Sequence, residues 1–438
     1  MPAKHSVFSG VTRYHWMVVL IAAAAWTFDC MDGRLFVLAR ESALSDLLRG
    51  KTTDPNIIKT YSGYATTSLI LGWATGGIYF GMMSDRIGRV KTMAITLLIY
   101  SLFTGLSGVA VSWIDFTIYR FIVGLGVGGM FGAATTMVAE TVPGGFRPLA
   151  LGSLQFLAAF GNMAGSLVSL WLQPGAEESL FGLPGWRVLF FVGILPAVLV
   201  VPVVFLLKEP EAWVAMRDAS RHQVRAGVGS PARLFSDKRW RRNTFVGLGL
   251  GLAGMVGLWG IGFYSPELIT TALKGEPQSR IDEVRAFGTA SQDLGSFFGM
   301  LAFTLVASFV SRRLAFLGAF VLSFLTTAYV FHNLNSATDA YWMLPLMGFA
   351  QFSLFAGYAI YFPELFPTRL RGVGVGFCYN TVRYLAAPAP ILLGYLSTLV
   401  SFRTAAVLMA GIYLLGAVAL IWAPETKGKP LPDDNLAV

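Results

Sequence analysis

One short polar stretch reads Gly81-Met-Met-Ser-Asp85-Arg86-Ile-Gly88-Arg89-Val-Lys91, and long apolar runs lie on both sides of it. This placement predicts a tight turn between two membrane-spanning helices. Its glycines let backbone segments approach closely. Its aspartate can accept hydrogen bonds from the N-terminus of a neighbouring helix or pair with an arginine. Its basic residues place positive charge on one side of a bilayer, as a basic loop of any multi-span protein would.

The composition excludes an ordinary soluble domain. The chain has 438 residues, of which 55% are hydrophobic and 13% charged, whereas about 25% are charged in typical soluble domains. Apolar residues are spread along the whole length, so we expect an all-α polytopic membrane protein, because lipid leaves the backbone few other ways to pair its hydrogen bonds. The first apolar run, from Trp16, is long enough for a span rather than a signal peptide.

Twelve apolar stretches have the length of a membrane span. They cover residues 16–39, 61–83, 93–113, 117–139, 150–173, 188–207, 244–269, 286–309, 314–332, 341–362, 372–400 and 403–423. Pro388 and Pro390 predict a kink or break in the eleventh. The two cysteines, Cys30 and Cys378, lie inside apolar runs, so we expect no disulfide, metal site or cofactor.

The distribution of lysine and arginine predicts the orientation. Alternate connections and both termini carry 21 of these residues, the other side carries nine, and Arg34, Arg120 and Arg383 lie within spans. Positive residues stay inside, so both termini are expected in the cytoplasm. The net charge of +9 is then a topology signal, and no nucleic-acid partner is expected.

An internal repeat predicts two halves. Glu140-x-x-Pro143-x-x-x-Arg147 recurs as Glu364-x-x-Pro367-x-x-x-Arg371, displaced by 224 positions. Six-span halves that arise from duplication are a known transporter arrangement. We therefore expect a first half at 1–207, a cytoplasmic linker at 208–243 with a surface helix near 211–222, and a second half at 244–438.

Several motifs together resemble those of the major facilitator superfamily. The opening stretch resembles the loop between spans 2 and 3 of these transporters, and Arg120-x-x-x-Gly124 resembles their span 4 motif. Glu209-Pro-Glu211 and Pro424-Glu425-Thr426-Lys427-Gly428 are similar to motifs that follow spans 6 and 12 in the sugar-porter-like branch. The resemblance implies twelve helices in two pseudo-symmetric halves. It also implies a gating motif formed by Gly81, Asp85, Arg86, Gly88, Arg89, Glu140, Arg147, Glu364 and Arg371.

Charged residues inside spans are the candidates for coupling, because intramembrane charge is costly. Phe28-Asp29-Cys-Met-Asp32-Gly33 resembles a span 1 segment of aromatic-acid and sialic-acid proton symporters. We expect Asp29, Asp32 and Arg120 to carry proton coupling. A permanent structural pair is the alternative, and Arg34 is another possible partner. Asp293 in span 8 could carry the proton, pair with an arginine or face a wet vestibule.

Arg383 in span 11 is the candidate for anion binding. The family resemblance implies an arginine in this span that faces the cavity, and a guanidinium beside aromatic rings suits a carboxylate. Pairing with Asp293 or a backbone carbonyl is the alternative. Further candidates for substrate contact are Tyr379, Asn380, Gln155, Asn162, Trp259, Tyr264, Gln351 and Tyr358.

These features predict a proton-coupled symporter for a small organic anion such as an aromatic acid or sialic acid. Span 7 lacks the paired glutamines that contact hexoses in sugar porters, which disfavours the alternative of a sugar or polyol symporter. An uncoupled facilitator and an exporter remain alternatives. The sequence has no recognisable pair of nucleophile and base and no metal-binding cluster, so an enzyme is not expected. A nutrient sensor on a transporter scaffold is disfavoured because the tails are short. We expect a monomer in the bacterial inner (plasma) membrane.

Overall fold

The structure, a computed structural model, describes residues 7–51, 55–178, 182–222 and 230–432. The ends of the predicted halves, 1–6 and 433–438, and residues 223–229 of the predicted linker lie outside these ranges. The described chain forms eighteen α-helices and two short 3-10 helices.

The first six spans are built from seven helices. They are α1 (Arg13–Leu47), α2 (Pro55–Ile87), α3 (Arg89–Ser107), α4 (Trp113–Thr141), α5 (Arg147–Leu172), α6 (Gly185–Val192) and α7 (Val200–Leu206). A 3-10 turn, Leu195–Leu199, joins α6 and α7 into one span. The hydroxyls of Thr12 and Ser112 accept hydrogen bonds from the amides of His15 and Asp115, and these caps set the starts of α1 and α4.

Two helices lie in the polar segment between the halves: α8 (Glu211–His222) and α9 (Arg233–Ser236). The surface helix predicted for 211–222 is therefore confirmed. The Trp213 indole of α8 donates a hydrogen bond to the Asp85 carbonyl at 2.9 Å. The segment thus lies against the opening stretch rather than standing free of the bundle.

The second set of spans uses nine helices. They are α10 (Lys238–Gly260), α11 (Ser265–Ala272), α12 (Gln278–Phe309), α13 (Arg312–Asn333), α14 (Ala337–Leu365), α15 (Thr368–Ala386), α16 (Ala389–Leu399), α17 (Phe402–Ala410) and α18 (Ile412–Ala419). Pairs α10–α11, α15–α16 and α17–α18 each form one span. Prolines at the starts of α11 and α16 lack the N–H that a continuous helix would use, so the spans are interrupted there.

The described helices account for twelve spans, and ten segments are long and apolar enough to cross a membrane. The two remaining spans are α2 and the pair α15–α16. Helix α15 carries Arg369, Arg371 and Arg383, which lower its hydropathy, and it ends before Pro388. The break predicted in the eleventh span is confirmed.

Several predicted span limits were too short. Helix α1 continues to Leu47 rather than 39, and α10 begins at Lys238 rather than 244. Hydropathy marks the part of a helix that suits lipid, but backbone hydrogen bonding continues through polar residues such as Glu41 and Asp46 beyond it.

The two halves contact each other mainly through α2 against α15 and α5 against α12. Residues near both ends of the described chain lie on one side of the bundle: Phe8 packs on Phe146 at the start of α5, and the Pro432 carbonyl accepts a hydrogen bond from Arg371. We call this the terminal side. The loops after α1, α3 and α5 lie on the opposite side.

Candidate functional site

Asp85 joins the two halves on the terminal side. Its Oδ1 accepts a hydrogen bond from the Gly372 amide and its Oδ2 one from the Val373 amide, both at 2.9 Å. These amides belong to the fifth and sixth residues of α15, in its second turn. Arg89 Nη2 lies 3.2 Å from the same carboxylate, and all these side-chain atoms are buried.

Glu140 at the end of α4 is shared by two arginines, one from each half. Arg89 donates to both of its oxygens, at 2.9 and 3.0 Å. Arg371 of the second half donates to the same carboxylate through Nη1. Arg89 also donates across the interface to the Thr368 carbonyl at 2.9 Å. We call Asp85, Arg89, Glu140 and Arg371 the terminal-side cluster.

The same geometry recurs within the second half. Arg312 donates to both oxygens of Glu364, at 2.9 and 3.2 Å, as Arg89 does to Glu140. Arg147 donates from Nε to the Ala139 carbonyl at 2.8 Å, and Arg371 donates from Nε to the Pro363 carbonyl at 3.1 Å. The displacement of 224 that relates Arg147 to Arg371 also relates Ala139 to Pro363, so the repeat is structural.

Glu209 and Glu425, which sequence analysis treated as motif residues without a role, cap equivalent helices. The Glu209 carboxylate accepts from the Arg89 and Val90 amides at the start of α3, at 2.7 and 3.0 Å. The Glu425 carboxylate accepts from the Arg312 and Arg313 amides at the start of α13, both at 3.2 Å, and from the Ser311 hydroxyl.

The environment of Glu425 keeps it charged. Burial acts to raise its pKa, but hydrogen bonds from Ser311 and the backbone amides of this turn outweigh burial and lower the pKa to about 2. In each half, the carboxylate that follows the last span accepts hydrogen bonds from the first amides of the third span.

The remaining residues of the predicted gating motif have different surroundings. Gly81 lies against the Gly372 backbone, which leaves no space for a side chain. Gly88 has a φ of 115° and lies against the Glu209 carboxyl, so glycine is required at this turn. The Arg86 side chain is exposed, in contrast to Arg89.

The acids of α1 lie inside the bundle. Asp29 and Asp32 are 3% and 2% exposed, and each has a buried Oδ1 with no hydrogen-bond partner in the structure. Arg120 Nη1 lies 4.0 Å from Asp32 Oδ2. Arg120 forms its hydrogen bonds instead with Ser107, at 2.6 and 3.1 Å, and with the Phe103 carbonyl. The expected close ion pair is thus a longer contact: Ser107 accepts from Nε and Nη2, and Nη1, which faces Asp32, has no hydrogen-bond partner.

Arg383 lies among aromatic rings from both halves. Its guanidinium carbon is 3.8 Å from the Trp73 ring centre, 5.2 Å from Tyr379 and 6.0 Å from Trp259. Asp29 is close enough to interact with it electrostatically. The arginine is 4% exposed, and its Nε has no hydrogen-bond partner in the structure. Contacts of this kind stabilise a cation through the faces of the rings and do not use the Nε donor.

Of the nineteen buried side-chain polar atoms without partners among the described residues, five belong to this arginine and to residues around it. They are Asp29 Oδ1, Trp73 Nε1, Gln155 Nε2, Asn380 Oδ1 and Arg383 Nε. We call these five residues together with Tyr379 the central site. A buried polar group without a partner costs about 1–3 kcal/mol, so the central site is the candidate position for a ligand that would pair with these atoms.

Gln155 is fixed on its other side. Its Oε1 accepts a hydrogen bond from the Trp26 indole at 3.1 Å. The Trp26 ring lies 5.0 Å from Phe131, which stacks on Tyr379 at 3.9 Å. The rings of α1 and α4 in the first half therefore support the tyrosine of the second half.

Asp293 pairs with Arg34. The Arg34 Nη2 to Asp293 Oδ2 distance is 2.5 Å, and the side chains are 27% and 29% exposed. The alternative in which Asp293 pairs with Arg383 is wrong, because α12 presents this carboxylate to α1. Sequence reasoning did not identify this pair, since the two residues are 259 positions apart.

Four further candidates have other contacts. Tyr358 donates to the Leu250 carbonyl at 2.8 Å and Gln351 donates to Thr327 at 2.8 Å, both within the second half. Tyr264 packs on Phe402, and Asn162 is partly exposed on α5. The structure therefore places Trp259 near Arg383, whereas Tyr358 and Gln351 form hydrogen bonds within the second half. Trp73 was missed because aromatic residues in spans usually only pack.

Comparisons with known proteins agree with this architecture. Residues 47–389 match the Major Facilitator Superfamily profile. The chain is 31% identical over 396 residues to a cis,cis-muconate transport protein of Acinetobacter baylyi, an alignment that covers 88% of this chain and 91% of the relative. It is 27% identical to the sialic acid transporter NanX of Escherichia coli, over 74% of each chain.

A solved structure, the proton:xylose symporter XylE, superposes with a TM-score of 0.77 at 18% identity, over 95% of this chain and 98% of that one. This similarity shows the fold. The relatives are transporters rather than enzymes, and the chain is an integral membrane protein, as the sequence predicted. The match over most of its length establishes that the chain belongs to the Major Facilitator Superfamily.

Proposed function

We propose that the chain is a proton-coupled symporter of a small organic anion, such as an aromatic acid, sialic acid or a similar carboxylate. The observation that carries the proposal is the Arg383 guanidinium, buried between rings of both halves with a free Nε donor. A site at the interface of the two halves can be exposed to each side in turn when the halves rock.

The chemistry of the central site favours an anion over a neutral sugar. Arg383 Nε, Trp73 Nε1 and Gln155 Nε2 are hydrogen-bond donors without partners. A carboxylate can accept from two such donors at once, and the aromatic rings can stack on an aromatic acid. The two relatives described above are named as transporters of cis,cis-muconate and sialic acid, which are both carboxylates.

Asp29, Asp32 and Arg120 support proton coupling. A buried carboxylate without a full set of hydrogen bonds is costly when charged. Uptake of a proton removes this cost, and approach of the guanidinium also removes it. Alternation between these two arrangements couples proton movement to a conformational change.

The orientation and environment follow from the charge distribution. The terminal side carries the excess of lysine and arginine, so we infer that it faces the cytoplasm of a bacterial inner membrane. The terminal-side cluster then closes the cytoplasmic end. The transport unit is inferred to be a monomer, with the division into halves at 1–207 and 244–438 around the 208–243 linker.

Arg383→Lys and Arg383→Ala test the anion site. We expect the lysine variant to bind benzoate or sialic acid at least about tenfold more weakly, because lysine loses the planar pair of donors, and the alanine variant to lose more. Binding is measured by calorimetry on purified protein, with melting temperature as a check on folding. Arg280→Gln is the matched control, since Arg280 is an exposed arginine paired with Glu283. Unchanged anion affinity in a folded Arg383→Ala protein would exclude the proposal.

A further inference from the structure

Arg34 is a second cation at the interface of the two halves, and the proposed binding of a carboxylate by Arg383 does not use it. It lies on α1, five residues after Asp29. This spacing corresponds to about 7.5 Å along the helix axis and about 140° around it. Because Asp29 lies close enough to Arg383 to interact with it electrostatically, Arg34 lies about one and a half helical turns further along α1 than the level of Arg383.

Open space lies between the two positions. Gly33 falls between Asp29 and Arg34 around the α1 axis, at about 40° from Asp29. A side-chain carbon added at Gly33 would meet no atom within 4 Å. The Arg34 stem packs against Gly165 of α5, which directs the guanidinium along the interface towards α12.

The present contact of Arg34 is a short hydrogen bond through one nitrogen. Among the described residues, its hydrogen-bond partner is Asp293, through Nη2 and Oδ2. An arginine can donate two parallel hydrogen bonds to one carboxylate, and here a single contact is formed. Both side chains remain more than a quarter exposed in the interior of the bundle, so the pair borders a water-accessible space and its charges are partly screened.

We propose that Arg34 is a second carboxylate-binding group, so that the protein accepts dicarboxylates with their carboxyl groups at opposite ends. Asp293 is the resident counter-ion that holds Arg34 when no such substrate is bound. This inference rests on the proposed function of Arg383, which binds the first carboxylate. The partial exposure of Asp293 matters, because water can solvate its carboxylate when the substrate displaces it.

The geometry also limits which dicarboxylates fit. Two carboxylates on neighbouring carbons span less than the separation of about 7.5 Å along α1 between the levels of Asp29 and Arg34. A rigid molecule with carboxylates at opposite ends can contact both arginines. Terephthalate, phthalate and benzoate therefore form a matched set of probes, with para, ortho and single carboxylates on the same ring.

The test measures binding of these three probes to purified full-length protein by calorimetry. We expect the wild type to bind terephthalate at least about tenfold more tightly than benzoate or phthalate. Arg34→Gln is expected to remove this preference, whereas benzoate affinity stays within about threefold of the wild type. Arg34→Lys keeps the charge and should retain part of the preference. Asp293→Asn removes the competing carboxylate and should tighten terephthalate binding.

The outcomes separate the two proposals. If the wild type binds benzoate through Arg383 but shows no preference for terephthalate, the second site is excluded and the proposed function stands. The same holds if Arg34→Gln and Asp293→Asn lower the melting temperature but leave all three affinities unchanged, since the pair is then only structural. If Arg383→Gln binds all three probes as the wild type does, the proposed function itself fails.

Discussion

Arg383 could be predicted from the sequence as a candidate functional residue, whereas its neighbour Trp73 could not. Arg383, Asp29, Asp32 and Arg120 were identified because a charge within a span is rarely retained without a purpose. The Trp73 ring centre lies 3.8 Å from the Arg383 guanidinium carbon, but nothing in the sequence distinguishes this tryptophan from aromatic residues that only pack. The partner of Arg34 could not be predicted either, because pairing between distant spans depends on helix rotation.

At the residue scale we predict that Asp29→Asn with Asp32→Asn abolishes uphill accumulation of substrate. Exchange of labelled for unlabelled substrate should persist, because exchange does not require release of the proton. Both processes are measured in proteoliposomes with an imposed proton gradient. Asp46→Asn is the control, since Asp46 lies at the C-terminal end of α1, about four turns from Asp32, and accepts a hydrogen bond from Trp186. Concentrative uptake by the double variant would show that other groups carry the proton.

At the scale of elements, helix α2 crosses α15 with backbone in contact with backbone. Gly77 and Gly81 of α2 lie against Gly376 and Gly372 of α15, and a side-chain carbon on Gly376 would collide with the Gly77 carbonyl. Small residues four positions apart are typical of close membrane-helix crossings. The sequence displayed these glycines, but it did not show which two helices they bring together.

The elements of the fold were predicted in number and approximate place, and their interruptions only in part. The break at Pro388 follows from the missing proline N–H. The division of span 12 at Gly411, between α17 and α18, had no such signal. Helix ends also extended beyond the apolar runs, because hydropathy reports contact with lipid rather than hydrogen bonding.

We predict that Gly376→Ala prevents close approach of α2 and α15 and lowers the transport rate at least about tenfold, because backbone atoms of Gly77 cannot move aside without separating the helices. The rate of substrate exchange is measured together with melting temperature. Gly318→Ala is the control, since an added carbon there meets no atom within 4 Å. A normal exchange rate in Gly376→Ala would show that transport does not require the close contact between α2 and α15.

At the scale of the whole molecule, the closed terminal side depends on contacts that only one half supplies. Asp85 of the first half binds the start of α15, but the equivalent turn of the second half, Ser311-Arg312-Arg313, has no acid to bind the start of α5. The repeat in sequence predicted two similar halves. It could not predict that Glu140 would accept hydrogen bonds from arginines of both.

Asp85→Asn should therefore shift the molecule towards a state open on the terminal side. The amide oxygen of the variant still accepts one hydrogen bond, but its nitrogen cannot accept, so either the Gly372 or the Val373 amide loses its partner at a cost of about 1–3 kcal/mol in the closed state. We expect spin labels at Gly144 and Ala232, exposed positions on the terminal side, to show a larger population of long distances. Transport should slow while the protein stays folded.

Ser84→Ala is the control for this shift, because the buried Ser84 hydroxyl has no hydrogen-bond partner in the structure. If Asp85→Asn has wild-type distances and transport, Asp85 does not hold the terminal side closed, and the stretch from Gly81 to Lys91 only sets the orientation in the membrane.

The orientation of the molecule is tested by labelling from outside intact cells. In a background without Cys30 and Cys378, a membrane-impermeant maleimide should react with Glu276→Cys and not with Ser236→Cys. Both positions are exposed, and they lie at opposite ends of the span formed by α10 and α11. Cell lysis should make Ser236→Cys reactive, and reaction of Ser236→Cys before lysis would reverse the orientation.

Glu209 and Glu425 have a consequence for how the chain is made. Each carboxylate follows the sixth span of its half and caps the third span of that half. During synthesis, the third span enters the membrane long before its cap exists, and its first turn keeps unpaired amides until three further spans have emerged. The cap on the third span of the first half uses no residue of the second half. The two halves can therefore mature one after the other, each finished by the last residues it receives.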